Sequence, residues 1–350
     1  MTTFGTQRFR SFLWTCVAVL VAVVTVTLAI WISSGGRGVV EELLLDEFPR
    51  HRAPSGMAAI TTLSYIGMLI AVGVPIFRIL IPRSANDWSI RVSYGASAIA
   101  VAAMLMLVPL TKAFEEQKET IFSIFHVEMW KVSPGHGTVR ALIFTVVGLT
   151  FMMWFLERDL TVRFNRLAVF VGALFALGAF TVVGHTATLG PAYIIHGADF
   201  VHTLAAAFWV GGLVALFQYL WSSIQKNDPT NRDHSPRESA RMIATFSAWA
   251  LWSFAALATS GMIMEWIVAG NPFDILSTTY LRLWVMKLAI LMVPVGMAVW
   301  NRFWLVPAIL QSPDDEASWG KLRRAIVYEV IGIVAVLFVT GYLVLQNPEA

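Results

Sequence analysis

Residues Gly184–Gly212 read GHTATLGPAYIIHGADFVHTLAAAFWVGG. The stretch joins two strongly apolar runs and sets three of the chain's seven histidines and one aspartate around the junction. An apolar run of about 20 residues is long enough to cross a bilayer as a helix. A polar or ionisable residue inside such a run is costly and marks a place where a bundle does chemistry. His185, His196, Asp199 and His202 are therefore the first candidates for function.

Working outward, the same apolar pattern recurs along most of the 350 residues: 57% are hydrophobic, 13% are charged and the mean hydropathy is +0.68. Soluble domains carry about 25% charged residues, so composition alone indicates an integral membrane protein. The net charge of +3 and pI near 9.1 do not indicate a nucleic-acid partner, because basic loops are ordinary on the cytoplasmic side of a membrane protein. The single cysteine, Cys16, excludes an intramolecular disulfide and a thiolate cluster within one chain.

Spanning helices are expected near 12–32, 57–77, 93–111, 139–156, 166–184, 199–220, 243–265, 283–304 and 326–345. The fold class is thus all-α, a polytopic transmembrane bundle of about nine helices. The first run follows Arg8 and Arg10 and resembles a signal peptide, but its length favours a retained helix. With the N-terminus in the cytoplasm, the internal segments hold sixteen Lys and Arg and the external ones eight, which orients the chain N-in and C-out. Residues 1–165 form an N-terminal half with helices 1–4, and 166–350 a second half with helices 5–9. Residues 33–56 read as a surface helix or a solvated linker. The external segment 112–138 reads as interfacial.

In this topology His185 ends the fifth helix at the outer face, His196 lies in the outer loop, and Asp199 and His202 open the sixth helix. Asp199 and His202 are three apart and share a helix face. Neutral imidazole suits copper, zinc, iron or nickel; the competing reading is hydrogen bonding or capping between helices. Met264 lies at the same depth beside Glu265, and a thioether favours Cu(I), although methionine is also an ordinary packing residue. His126, Glu128, Met129 and His136 could form an outer collecting site or a solvated face. Lys287 should approach Glu265 or Asp199 as a structural pair. Glu329 begins the ninth helix near the cytoplasm, where a topological, anchoring role fits. There is no P-loop, HExxH, CxxCH or Cys-Pro-Cys motif and no nucleophile elbow, so neither an ATP-driven pump nor an enzyme is indicated.

The second half resembles the copper-resistance D (CopD-type) membrane family. The resemblance is carried by Gly184-His185, HTLAAAFWVGGL at 202–213, ARMIATFSAWALWSFAALATSGMIMEWI at 240–267, STTYLRLWVMKLAILMVPVGMAVWNRFWLVP at 277–307 and LRRAIVYEVIGIVAVL at 322–337. It implies a bacterial cytoplasmic-membrane protein that moves copper, inward, or confers copper tolerance, working with a separate copper carrier of the CopC type. By position, His185 and His202 would face the metal, with His196, Asp199 and Met264 as helpers. Trp209, Gly211 and Gly212 match a helix-packing pattern, since small residues permit close approach. Tyr280, Lys287, Asn301 and Glu329 also match family positions. Two other classes remain open: a haem-binding electron-transfer protein and a non-transporting assembly or signalling partner.

Overall fold

A computed structural model describes residues 56–81, 87–118, 121–184, 191–225, 236–269 and 279–346. The expected first span at 12–32, Cys16, the amphipathic segment before residue 56, His185 and the polar loop with His234 lie outside the described residues. Among the described residues the chain is entirely helical, and eight helices are long and apolar enough to cross a membrane. The described α-helices, nine because one span is interrupted, are numbered α1 (Met57–Leu80), α2 (Asp87–Glu115), α3 (Gly137–Leu156), α4 (Arg163–Leu177), α5 (Ala192–Gln225), α6 (Pro236–Ala269), α7 (Thr279–Trp300), α8 (Val306–Gln311) and α9 (Glu316–Leu343). A π-helical turn, Asn301–Leu305, joins α7 to α8, and these three elements make one span.

Several helices outrun the apolar windows that predict them. α5 begins seven residues earlier than 199, and α9 begins ten residues earlier than 326. Hydropathy senses only the hydrocarbon slab, whereas the backbone ladder runs on into the interface as long as caps satisfy its ends. Asp315 supplies such a cap for α9, accepting from Ala317 N at 3.1 Å and Ser318 Oγ at 2.6 Å. The Ser318 hydroxyl, with the Ala317 amide, holds the Asp315 carboxyl below the ordinary carboxylate range. The fifth expected helix instead ends earlier: α4 stops at Leu177, then a 3-10 turn at Phe180–Val182 leads to Gly184 at φ +78°.

α1 is the hub of the bundle. It packs against α2, α5, α9 and α4, and 61% of its spanning window is buried, against 22% for α6 and 17% for the α7–α8 span at the periphery. Lipid tails are as apolar as leucine, so helices in a membrane associate through close packing of small residues rather than by escape from water. The α1–α5 contact is built this way: a Cβ on Gly73 would collide with the Ala207 carbonyl, and one on Gly211 with the Gly73 backbone. Gly212 faces the Phe246 ring on α6. α5 and α6 are stitched along their length by Ser253 Oγ to Ala205 O at 2.7 Å and by Tyr219 with Ser239 at 2.9 Å. α3 and α4 form a tight pair of their own across the boundary at 165.

The segment between α2 and α3 folds back against the end of α2 as two 3-10 turns, Ile121–Phe125 and Val127–Trp130. Lys112 holds it by donating to Glu128 O at 2.7 Å and Lys131 O at 3.0 Å. Phe122 and Phe125 remain exposed, as an interfacial segment requires.

Candidate functional site

The longer α5 moves the histidines relative to the sequence expectation. His196 lies in the second turn of α5 rather than in a loop, so His196, Asp199 and His202 all ride on one helix. They do not, however, look the same way. Steps of three residues turn about 60° backward around a helix. Asp199 is buried and within electrostatic reach of Tyr65 on α1, while His202 is directed at α6. Asp199 is therefore engaged on the α1 side of α5, and the two residues contact different neighbours.

The His202 ring rests on Gly261, where an added Cβ would meet its Cε1 at 3.2 Å. Its Nδ1 lies 3.0 Å from Leu257 O and 3.3 Å from Ser260 Oγ. A carbonyl only accepts, so Nδ1 carries the hydrogen and the lone pair is on Nε2. Ser260 Oγ itself donates to Ala256 O at 2.6 Å, which leaves it acceptor capacity toward the same N–H. A histidine whose outer-shell bond runs from one ring N–H to a backbone carbonyl has its tautomer fixed and its other nitrogen prepared for a metal.

One turn beyond Gly261 on α6 stand Met264 and Glu265. Met264 follows Leu257, Ser260 and Gly261 on the same face and is part-buried. Glu265 is buried, accepts from the Tyr280 hydroxyl at 3.4 Å, and keeps Oε1 without a hydrogen-bond partner. Lys287, two turns into α7 from Tyr280, lies in the electrostatic field of both Glu265 and His202. His202 on α5 and Glu265 on α6 thus both lie within electrostatic reach of Lys287 on α7: an imidazole, a carboxylate with a vacant acceptor and an ammonium, with the Met264 thioether next to Glu265 on α6. The donors suit a soft or borderline cation. Glu265 favours such an ion, and Lys287 disfavours it. Among the described residues no three His, Cys, Asp or Glu side chains converge closely enough to hold a metal alone.

His196 stands apart from His202 by nearly two turns, with a buried Nδ1 that lacks a partner. His136 is spent elsewhere. Its Nδ1 caps α3 by accepting from Thr138 N at 3.3 Å, and its Nε2 donates to Glu115 at 2.9 Å. His126 is exposed.

The opposite half of the bundle holds a second polar group. α9 starts at Glu316, so Glu329 falls at the middle of a 28-residue helix rather than near its start, and it is 2% exposed. Asn301 Nδ2 and the Trp209 indole both donate to its carboxylate. Trp209 also packs edge-on against Phe254 at 5.9 Å. Its place among the packing residues with Gly211 and Gly212 is therefore only part of what it does. Asn301 and Ser260 escape a hydropathy reading, and only the tertiary contacts mark Ser260 at all.

Comparison with known proteins bears on the α6–α9 segment most directly. Over 161 residues, 44% of this chain and 52% of the relative, it is 28% identical to the inner membrane protein YebZ of Escherichia coli (strain K12). It is 23% identical to the copper transport protein CutJ of Bacillus subtilis (strain 168) over 250 residues, 64% of this chain and 42% of that protein. The chain thus spans about half the length of the curated relatives it matches. No solved structure matches it. The family model for copper resistance protein D matches residues 240–343, from the first turns of α6 to the end of α9, and over these residues the resemblance read from the sequence is borne out.

Proposed function

We propose that this multi-pass protein of the bacterial cytoplasmic membrane moves copper inward, with copper as cargo received at the mouth between α5, α6 and α7. The charge bias of the loops supports an outward-facing mouth. The observation that carries the reading is the Nδ1–H bond of His202 to the Leu257 carbonyl, which presents Nε2 as a metal donor. The family match over 240–343 and the similarity to a copper transport protein support copper as the ion. Met264 and Glu265 serve as exchange partners one turn outward, and His185, by position in the sequence, is the second imidazole. With few ligands the ion is held loosely enough to leave. The haem alternative draws no support from the comparisons, and a CopC-type carrier remains the natural donor for the mouth.

The test is cellular copper accumulation in a strain carrying His185→Ala and His202→Ala together, at wild-type protein level. Accumulation should fall to that of the deletion strain; unchanged accumulation sinks the site. Lys287 gives a test of opposite sign. Removing a positive charge beside the ion relieves repulsion, so Lys287→Met should bind copper severalfold more tightly in the purified protein. Weaker binding would mean that Lys287 holds the site together instead.

A further inference from the structure

A cavity of about 70 Å3 lies between α5, α6, the π-helical turn and α9, with predominantly apolar walls. Glu329, Asn301, Trp209, Phe254 and Arg302 are among the residues lining it. On α9 the lining runs from Glu329 back through Ile326 to Leu322, so the cavity extends from mid-helix toward the end of the bundle opposite the His202 mouth. It has room for a few water molecules. His202 and Trp209 are seven residues apart on α5, hence on one face and about 10 Å apart in rise. The Trp209–Phe254 pair stands between the two sites.

Resting on the copper-transport reading and deepening it, we propose that Glu329 is a proton-binding site at the centre of the membrane, loaded through this cavity from the cytoplasmic end, and that its protonation drives or gates copper passage. Three observations carry the inference. The cavity offers one carboxyl, one amide oxygen and the Ser247 hydroxyl, which already accepts from Arg302, with no thioether or imidazole. A single carboxylate cannot complete the shell of a metal ion, but it binds a proton completely.

The second observation is the Asn301 amide. With Nδ2 toward Glu329, Asn301 donates to a carboxylate, and its own Oδ1 is buried without a partner. Turning the amide over places Oδ1 where a protonated Glu329 can donate to it. The pair therefore has a hydrogen-bonded arrangement for each protonation state, and cavity water can serve whichever amide group points away. Third, Asn301 opens a π-helical turn, whose Val306 N–H bonds back to Asn301 O. Such turns are frequent at functional sites.

Among the described residues, no other carboxylate or imidazole lines this cavity. Arg302 lines the cavity, but its Nη1 donates to Ser247 Oγ at 3.3 Å and its guanidinium lies over Phe303 at 5.9 Å. α5 contributes Trp209, α6 Phe254 and α8 Val306. On α1, Tyr65 faces Asp199 and Arg78 belongs to the last turn. On α7, Arg282 lies in the first turns and Lys287 faces Glu265 and His202. On α9 itself Arg323 and Arg324 sit more than a turn toward its start.

Dicyclohexylcarbodiimide adds to protonated carboxyls in apolar surroundings, and its adduct can be mapped by mass spectrometry on the full chain in detergent. Glu329 should be labelled, less so as the pH is raised, and Glu329→Gln should remove that adduct alone. In cells, wild-type copper uptake should vary with external and cytoplasmic pH, while Glu329→Gln, near-isosteric and still folded by its melting temperature, should show a flat profile. A Glu329 that stays unlabelled at every pH in folded wild-type protein overturns the proposal, as does a Glu329→Gln variant that keeps the wild-type pH profile. The labelling arm needs no copper. It decides the proton site even if the His185→Ala/His202→Ala variant shows that the copper reading has failed.

Discussion

Gly73→Leu should leave almost no folded protein. A Cβ at this position would run into the Ala207 carbonyl, and the reciprocal Gly211 lies against the Gly73 backbone, so neither partner is a side chain that can swing away. Overpacking a soluble core typically costs about 1–3 kcal/mol because rotamers and neighbours adjust. Here the only adjustment is to push α1 from α5, and α1 also carries the contacts to α2, α4 and α9. The loss should exceed that range and appear as absent or aggregated material on size-exclusion chromatography. Gly95→Leu is the control, because a Cβ there meets nothing within 4 Å. It should elute and melt like the wild type. If both variants behave alike, backbone approach is not what joins α1 to α5.

His202→Ala should abolish high-affinity copper binding in the purified protein. Losing even an outer-shell partner of a metal-bound histidine costs about 10–100-fold in affinity, and removing the donor nitrogen should cost at least as much. The ring is enclosed by Leu257, Ser260 and Gly261, so truncation also opens a gap, and the melting temperature must be followed in the same preparations. His136→Ala provides the contrast: both its nitrogens are engaged, with Thr138 and Glu115, and copper titration should be unaffected. Equal losses in the two variants would point to a diffuse surface effect and away from the α5–α6 mouth.

The legibility of the fold follows from the solvent. In a bilayer every backbone N–H and C=O must be satisfied within its own segment, so apolar runs of sufficient length become helices with little choice. That is why the spans from 57 onward were readable and why their ends were not. His196 was displaced from an expected loop into α5, and Glu329 from a helix start to a helix middle, because the ladder continues past the hydrocarbon edge where hydropathy falls silent.

The site was legible only as a set of costly residues. His202, Met264, Glu265 and Lys287 stand out in sequence because ionisable and soft groups are rare in apolar runs. Their partners do not. Ser260 is a common small residue in membrane helices, and Asn301 matches a family position without any sign in the sequence that it meets Glu329.

By itself, then, the amino-acid sequence determines an all-helical membrane bundle, which of its spans carry polar groups and, through the 240–343 stretch, a copper-related family pattern. Tertiary structure alone decides which neighbour each group meets. It turns Asp199 toward α1 and His202 toward α6, and it sets Glu329 against Asn301 and Trp209. The reason is rotational. Hydropathy specifies which span a residue belongs to but not its azimuth, which is set by where small residues let two helices close, as Gly73 and Gly211 do between α1 and α5.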